Sequence, residues 1–405
     1  MPINCERLIK SLTADLPEKS NIQLWVGAWR QVASWNHTKL IAVDGRHLQT
    51  GGHNLWSDIY LKEEPVHDVS VQLEGPIAHD AHNYADAQWK FIENKQATFL
   101  GQIFENLPDF LPQVSRTRVI VSNYPRGEAT EFAPYYDTSC VSTYEDLEDT
   151  VSVISVGRQA NLVKKDRPSD DAFVAMIDAS KHIIRMSLQD IGPVCLPASK
   201  IPLPSVGWPK PYLDALARAI WLRGVDVEIV LSNEDAKSGY CNGWSCVDVA
   251  SELIKRIQKQ FPDAADAELR QKVEDNLRIC YLRHARKWSY KSGARIGNHA
   301  KYFIVDDLIS YTGSQNLYEC DLAEWGVLID DVGVTSQMVD EYWKPMWEAS
   351  FFEEDCEVQD VMDGLKVSRD GEEADWSSKD GARKLEAATA AIAKAQFPAQ
   401  KEFYD

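Results

Sequence analysis

Two stretches of this chain carry the same reactive side chains at the same spacing. The first runs Asn36-His37-Thr38-Lys39, four apolar residues (Leu40 to Val43), Asp44, six residues, then Gly51-Gly52-His53-Asn54. The second runs Asn298-His299-Ala300-Lys301, four apolar residues (Tyr302 to Val305), Asp306, six residues, then Gly313-Ser314-Gln315-Asn316. Both fit H-x-K-x4-D-x6-G-G/S-x-N, and the copies start 262 residues apart. A neutral imidazole can attack an electrophile, and a protonated one can donate to a leaving oxygen. Two histidines in one site can divide those roles. Two matched sets of His, Lys and Asn therefore point to one active site built across a pseudo-twofold axis, with one set from each half.

The elements that must position these groups follow the same grammar in both halves. The H-x-K segment with its apolar run reads as a buried strand, and strand alternation puts His37 and Lys39 on one face. Asp44-Gly45 and Asp306-Asp307 are turn residues. Each motif Asp ends its apolar strand at a turn, so Asp44 and Asp306 read as structural. A second strand follows (His47 to Thr50; Leu308 to Thr312), closed by Gly51 and Gly52 or by Gly313. A third comes next, Asp68 to Leu73 and Glu324 to Ile329.

Upstream of the motifs the halves differ. Before His299 the pattern predicts strands over His182–Leu188, Val225–Leu231 and Leu277–Leu282. They alternate with helices over Tyr212–Arg223, closed by Gly224, and Val247–Gln260. Before His37 one such strand is evident, Ile22 to Val26. The first half is expected to lack two strands and their helices, as if shortened at its N-terminus. The predicted fold class is α/β: two pseudo-twofold-related α/β/α halves sharing one active site. Residues 1–150 form the first half and 151–355 the second. Residues 356–405, charged and then Ala-rich, form a solvated tail with one helix, outside the core.

Net charge is −19, from 62 acidic and 43 basic residues, a field that opposes extended binding to polyanions. No apolar run reaches the ~18 residues of a membrane span, and residues 1–19 lack the apolar stretch of a secretory signal. A soluble chain is expected, its compartment open. Cys241 and Cys246 have no partner pair at zinc-site spacing. His79, Asp80 and His82 resemble a metal cluster but fall at the start of a predicted helix over residues 78–93. Cys140 and Cys195 have no base beside them.

These motifs resemble the phospholipase D superfamily. Ser34 to Lys39, Pro65 to Val69, Glu74-Gly75-Pro76 and Gly313 to Tyr318 look like its secreted bacterial type, as made by actinomycetes. The resemblance covers roughly residues 20 to 350. It implies phosphodiester cleavage through a covalent phosphohistidine. His37 is then the nucleophile and His299 the general acid, an assignment the symmetric motif allows to be reversed. Lys39 and Lys301 would hold the nonbridging oxygens, so neither metal nor other cofactor is needed. Asn54, Asn316 and Ser314 would donate to the same oxygens. The resemblance also places a carboxylate on the following strand to fix each imidazole. These are Asp68 against His37 and Glu324 against His299, where the family type has Asp at both positions.

The expected substrate is a phosphatidylcholine-like phospholipid at a membrane or micelle surface, with water or an alcohol as acceptor. No stable nucleic-acid partner is expected. Two motifs in one chain remove the need for dimerisation, so a monomer is expected. The alternatives are a nuclease using the same site and a shortened, silent fragment. The basic run Arg283, Arg286, Lys287, Lys291, Arg295 and Lys301 leads into the second motif and reads either as an attractor of anionic interfaces or as a solvated loop. Trp56 and Tyr318, each two residues past a motif Asn, read as a shared packing feature.

Overall fold

The computed structural model describes residues 5–16, 23–27, 30–31, 34–54, 59–96, 120–123, 135–138, 144–159, 167–195, 201–202, 207–236, 244–318 and 322–369. Trp56, Cys140, Cys241 and the Ala-rich stretch lie outside them.

In the first half, β1 (Gln23–Val26) pairs with β7 (Ile120–Asn123), and β2 (Arg30–Gln31) with β3 (Ser34–Trp35). β4 (Leu40–Val43), β5 (His47–Gly51) and β6 (Ser70–Glu74) form a three-stranded antiparallel sheet. The second half holds a seven-stranded sheet, which adds β8 (Ser152–Gln159), β9 (Ile183–Leu188), β10 (Asp226–Leu231), β11 (Leu277–Tyr281), β12 (Lys301–Val305), β13 (Ile309–Gly313) and β14 (Ala323–Asp330). Their order is β11-β10-β9-β12-β13-β14-β8. β9, β10 and β11 run parallel, and the remaining pairings are antiparallel.

The long apolar runs of this sheet are buried on both faces, as sandwiched strands must be. Ile229, Leu231, Phe303 and Val305 pack under the helices Pro168–Ala179, Lys210–Arg223 and Cys246–Gln260. Their alternates Val230, Tyr302 and Ile304 pack the other way, against Trp343 and Met346. The result is the α/β/α sandwich. Gly224 ends its helix in the left-handed conformation, φ 61°, that glycine takes without penalty. The helix Ile77–Gln96 joins the halves, with Ala78, Ala81 and Tyr84 packed against Trp325, Val327 and Ile329 of β14.

Two expectations need correction. The first-motif strand is only half buried: Ile41 is 54% exposed, whereas all of β12 is buried. Among the described residues, the sheet β4-β5-β6 is packed on one face only. The tail does not begin at Cys356. Val361, Met362 and Val367 are buried in the core, and Arg270 is paired with Asp363 and bonded to the Val367 carbonyl. A polar sequence hid these few apolar anchors. No described helix is long and apolar enough to cross a membrane.

Candidate active site

The two motifs meet where the halves meet. The imidazole rings of His37 and His299 lie 6.5 Å apart, centroid to centroid, at 68°. Each is seated by the other half. His37 N–H donates to the Ala323 carbonyl at 2.9 Å, and His299 N–H donates to the His67 carbonyl at 2.7 Å. Short parallel bridges join Asn36 to Ala323 and His67 to Asn298. In each case the residue before a histidine pairs with the residue before a carboxylate. This is the pseudo-twofold relation in backbone form.

That crossing corrects the expected pairing of acids and bases. His37 Nδ1 donates to Glu324 Oε1 at 2.9 Å, and His299 Nδ1 to Asp68 Oδ2 at 2.7 Å. Each carboxylate serves the opposite half's histidine, because the segment carrying it lies along the opposite motif rather than its own. Fixing Nδ1 as the donor leaves Nε2 as the reactive nitrogen in both neutral rings. Asn54 approaches this nitrogen on His299, with its amide 3.5 Å from Nε2.

Each lysine is anchored to its own histidine's backbone. Lys39 Nζ donates to the carbonyl of His37 at 2.8 Å. Lys301 Nζ donates to the carbonyl of His299 and to Gln189 Oε1, the latter at 3.2 Å. Burial lowers both ammonium groups against the pull of Glu324 and Asp68, Lys39 to about 8 and Lys301 to about 7. Burial, then Lys39, lowers His37 to about 3 despite Glu324. Burial and both lysines hold His299 well below its ordinary value. Both rings are neutral near pH 7, and a bound anion would offset the lysine charge that keeps them so.

The carboxylates are not equivalent. Glu324 is fully buried, and burial alone would raise it. Arg158 and His37 outweigh that and leave it lowered. Arg158 sits opposite Glu324 across the β14–β8 ladder, and its Nε donates to Oε2 at 2.8 Å. Asp68 accepts from His299 and from the Val69 N–H at 2.9 Å, and burial raises it. The His37 dyad thus shares its negative charge with an arginine.

The remaining motif residues divide between the site and its frame. Asp306 accepts from the N–H groups of Lys181, His182 and Ile183 at 2.7–2.9 Å, tying the turn to the start of β9. Asp44 takes the matching left-handed turn conformation, φ 53° against 54° for Asp306. A Cβ on Gly52 would lie 2.0 Å from Asp68 Oδ1, so only glycine lets the backbone pass this close. Gly313 faces Gly326 across the ladder, where a Cβ would lie 2.6 Å from the Gly326 Cα. Gly51 pairs with Ser70.

Ser314 does not face the site. Its hydroxyl bonds both the carbonyl and the N–H of Trp325, at 3.2 and 3.1 Å, so it closes the end of the sheet. Asn316 donates to Tyr318 Oη at 2.8 Å, and its buried Oδ1 has no partner among the described residues. Of the three expected oxygen-binding side chains, Asn54 alone reaches a histidine.

Asn36 and Asn298 were not singled out as site residues, yet each caps its motif. Asn36 Oδ1 accepts from Thr38 N–H and Asn298 Oδ1 from Ala300 N–H, at 2.9 and 3.0 Å. The signal was available, since both motifs open on Asn-His. Arg158 and Gln189 carry no such signal, because strand pairing alone brings them in. Among the described residues no group of three or more His, Cys, Asp or Glu is arranged to hold a metal ion. His79 instead contacts Tyr136 and Tyr144, and His82 stacks on Tyr136.

No family model matches the chain. Phospholipase D of Streptomyces antibioticus is 26% identical over 340 residues, which cover 78% of this chain and 59% of that protein. The chain resembles the phospholipase D superfamily. It spans less than two thirds of the length of that phospholipase D. Two solved structures are also similar. Phosphatidylserine synthase of Haemophilus influenzae is 14% identical, at a TM-score of 0.48, over 97% of this chain and 76% of that one. The phospholipase D family member Nuc of Salmonella typhimurium is 19% identical, at a TM-score of 0.30, over 50% of this chain and 97% of that one.

Proposed function

We propose that the chain is a phospholipase D-type phosphodiesterase that converts phosphatidylcholine-like lipids to phosphatidic acid and can transfer the phosphatidyl group to alcohols. The observation that carries this reading is the crossed arrangement of His37 on Glu324 and His299 on Asp68 around buried Lys301 and half-buried Lys39. The phosphodiester anion sits against Lys39 and Lys301, with Asn54 beside it. The bound anion favours protonated His299, which takes up a proton at Nε2 as the complex forms. Neutral His37 attacks phosphorus through Nε2, the bond to the headgroup oxygen breaks, and imidazolium His299 gives its Nε2 proton to that oxygen. Water or an alcohol then gives its proton to His299 and attacks the phosphohistidine, and the P–N bond breaks. Among the described residues Asp68 has no arginine partner of the kind Arg158 is to Glu324. His299 is taken as the acid, an assignment the symmetric motif allows to be reversed.

The test is product formation from phosphatidylcholine vesicles in the presence of ethanol. Phosphatidylethanol, lost in His37→Ala and His299→Ala with the fold intact, is the expected result. No lipid product from folded protein, or full activity in both variants, would overturn the reading. Cleavage of DNA at physiological salt in its place would move the site to nuclease chemistry.

A further inference from the structure

One loop stands apart from the acidic surface. Residues 284–296 leave the end of β11, at the same edge of the sheet where β12 begins at Lys301. This edge, the carboxyl end of the parallel strands, also carries His299. The loop is braced against the first half close to the site: Ser292 Oγ donates to Glu64 at 2.6 Å, and the Tyr290 hydroxyl reaches the Pro65 carbonyl.

Its first turn is strained. His284 and Lys287 exchange both backbone hydrogen bonds at 2.9 Å, which leaves Ala285 and Arg286 as the two loop residues. Their φ values are 47° and 64°, a conformation that Asn and Gly take readily and that a side chain such as Arg resists. The strain holds Arg286 at the tip, its guanidinium 4.1 Å from the Phe352 ring centroid. Trp288 follows, 47% exposed, with Arg295 over its ring at 4.4 Å and Arg283 at 5.4 Å. A second turn carries exposed Lys291 and Gly293.

Arg283 is spent on Asp355. Arg286, Lys287, Lys291 and Arg295 form no ion pair among the described residues. Four such cations on one loop with an exposed indole, on a chain of net charge −19, make a local device. An indole prefers the boundary between water and acyl chains, and basic groups beside it meet anionic headgroups.

We propose that the 284–296 loop docks the enzyme on anionic phospholipid surfaces and so presents the neighbouring site to lipid. The proposal rests on the phospholipase reading in so far as the surface is the substrate's. A nucleic acid fits the loop less well. Single strands are held by stacking successive bases on several aromatic rings, and this loop offers one exposed tryptophan. A long polyanion would also run on past the loop over acidic surface.

The test is co-sedimentation of the full chain with large vesicles, in a His37→Ala background so that turnover cannot change their composition. Phosphatidylcholine alone is compared with phosphatidylcholine containing phosphatidylglycerol. Expected are tighter binding to the anionic vesicles, weakening as salt rises, and a further loss of at least about tenfold in Lys287→Glu/Lys291→Glu. Trp288→Ala is expected to weaken binding to both vesicle types. Binding by the charge-reversed variant equal to that of its parent would overturn the proposal. So would displacement of the vesicles by a DNA oligonucleotide at equal phosphate concentration. Hydrolysis of soluble p-nitrophenylphosphorylcholine, measured with His37 present, separates docking from chemistry. An unchanged rate in the loop variants is expected. A parallel loss would place the loop in the chemistry and overturn docking. Absence of soluble turnover in the parent would count against the phospholipase reading and leave the vesicle result standing.

Discussion

His37 and Glu324 lie 287 positions apart, yet Nδ1 and Oε1 are 2.9 Å apart and the carboxylate is wholly buried. The mirrored pair, His299 and Asp68, is 231 positions apart at 2.7 Å. Each acid belongs to the half that does not carry its histidine. Neither half could therefore orient its own imidazole, and the site exists only when both are folded together.

The two acids should fail differently when neutralised. Asp68→Asn and Glu324→Gln each remove the acceptor that fixes an imidazole tautomer. Each is expected to lower kcat by about 10²–10⁴-fold. Glu324→Gln also leaves Arg158 buried opposite a neutral amide. Loss of one partner of a buried pair costs on the order of 3–5 kcal/mol. Denaturant unfolding should show that penalty for Glu324→Gln and a smaller one for Asp68→Asn. Equal stability of the two variants would show that Asp170, already 3.2 Å from the Arg158 guanidinium, suffices to pair it.

Arg158 gives a second prediction, read by pH. Burial pushes the Glu324 carboxyl up, and Arg158 is the main influence that brings it down. Arg158→Met removes that influence, so Glu324 protonates at higher pH and ceases to hold His37. The acidic limb of the kcat profile should move upward, with Arg158→Lys recovering part of the difference. A uniform drop at every pH would assign Arg158 to structure alone.

How far this site was legible in the sequence follows from what kind of contact each part uses. The repeated spacing exposed His37, Lys39, His299 and Lys301, because each motif is local. The strands from Ile183 to Tyr281 and the helices Lys210–Arg223 and Cys246–Gln260 could be read because apolar periodicity and the Gly224 stop are also local, whereas the mostly polar helix Asp266–Asn276 was not. The crossed acids could not be read, since pairing between Asn36 and Ala323 or His67 and Asn298 leaves no trace in composition. Arg158 was hidden for the same reason: its place is set by register across β8 and β14. Ser314 misled because a hydroxyl in a Gly-Ser-x-Asn turn looks free until its partner strand is seen.

Gly52 should tolerate no side chain. Its Cβ position overlaps Asp68 Oδ1, and the nearby backbone is tied by Gly52 N–H to the Val69 carbonyl at 2.9 Å. Gly52→Ala is expected to push Asp68 off His299. A displacement of about 1 Å costs on the order of 10²-fold in rate. Steady-state kinetics with a thermal melt would separate this from unfolding. Near wild-type kcat would mean that the carboxylate relaxes without leaving the imidazole.

Stability should fall on the acid side for a reason built into the histidines. Burial leads the lowering of His37 to about 3 and of His67 to about 4, while an unfolded histidine titrates near 6.5. Between those values the unfolded chain binds more protons than the folded one, so stability drops as pH falls from about 6.5 towards 3. His67 carries no assigned chemistry; its ring stacks on Tyr342, with Nε2 2.8 Å from the hydroxyl. His67→Gln should flatten the decline between about 6.5 and 4. An unchanged slope would place the loss on other groups.

The alkaline side tests the lysines directly. Free protein holds Lys301 near 7 and Lys39 near 8, with burial the main cause in both. The profile of kcat/KM reports groups in the free enzyme, so it should fall as pH rises through this range and the ammonium charges are lost. A bound phosphodiester favours the charged lysines and raises both, so the fall in kcat should lie at higher pH than the fall in kcat/KM. Lys301→Arg replaces a titrating group with one that stays charged, and where the variant folds its kcat/KM should keep only the later, Lys39-linked decline. Coincident limbs in kcat and kcat/KM would mean that the substrate's charge does not reach these lysines. The phosphate would then have to be held by other groups.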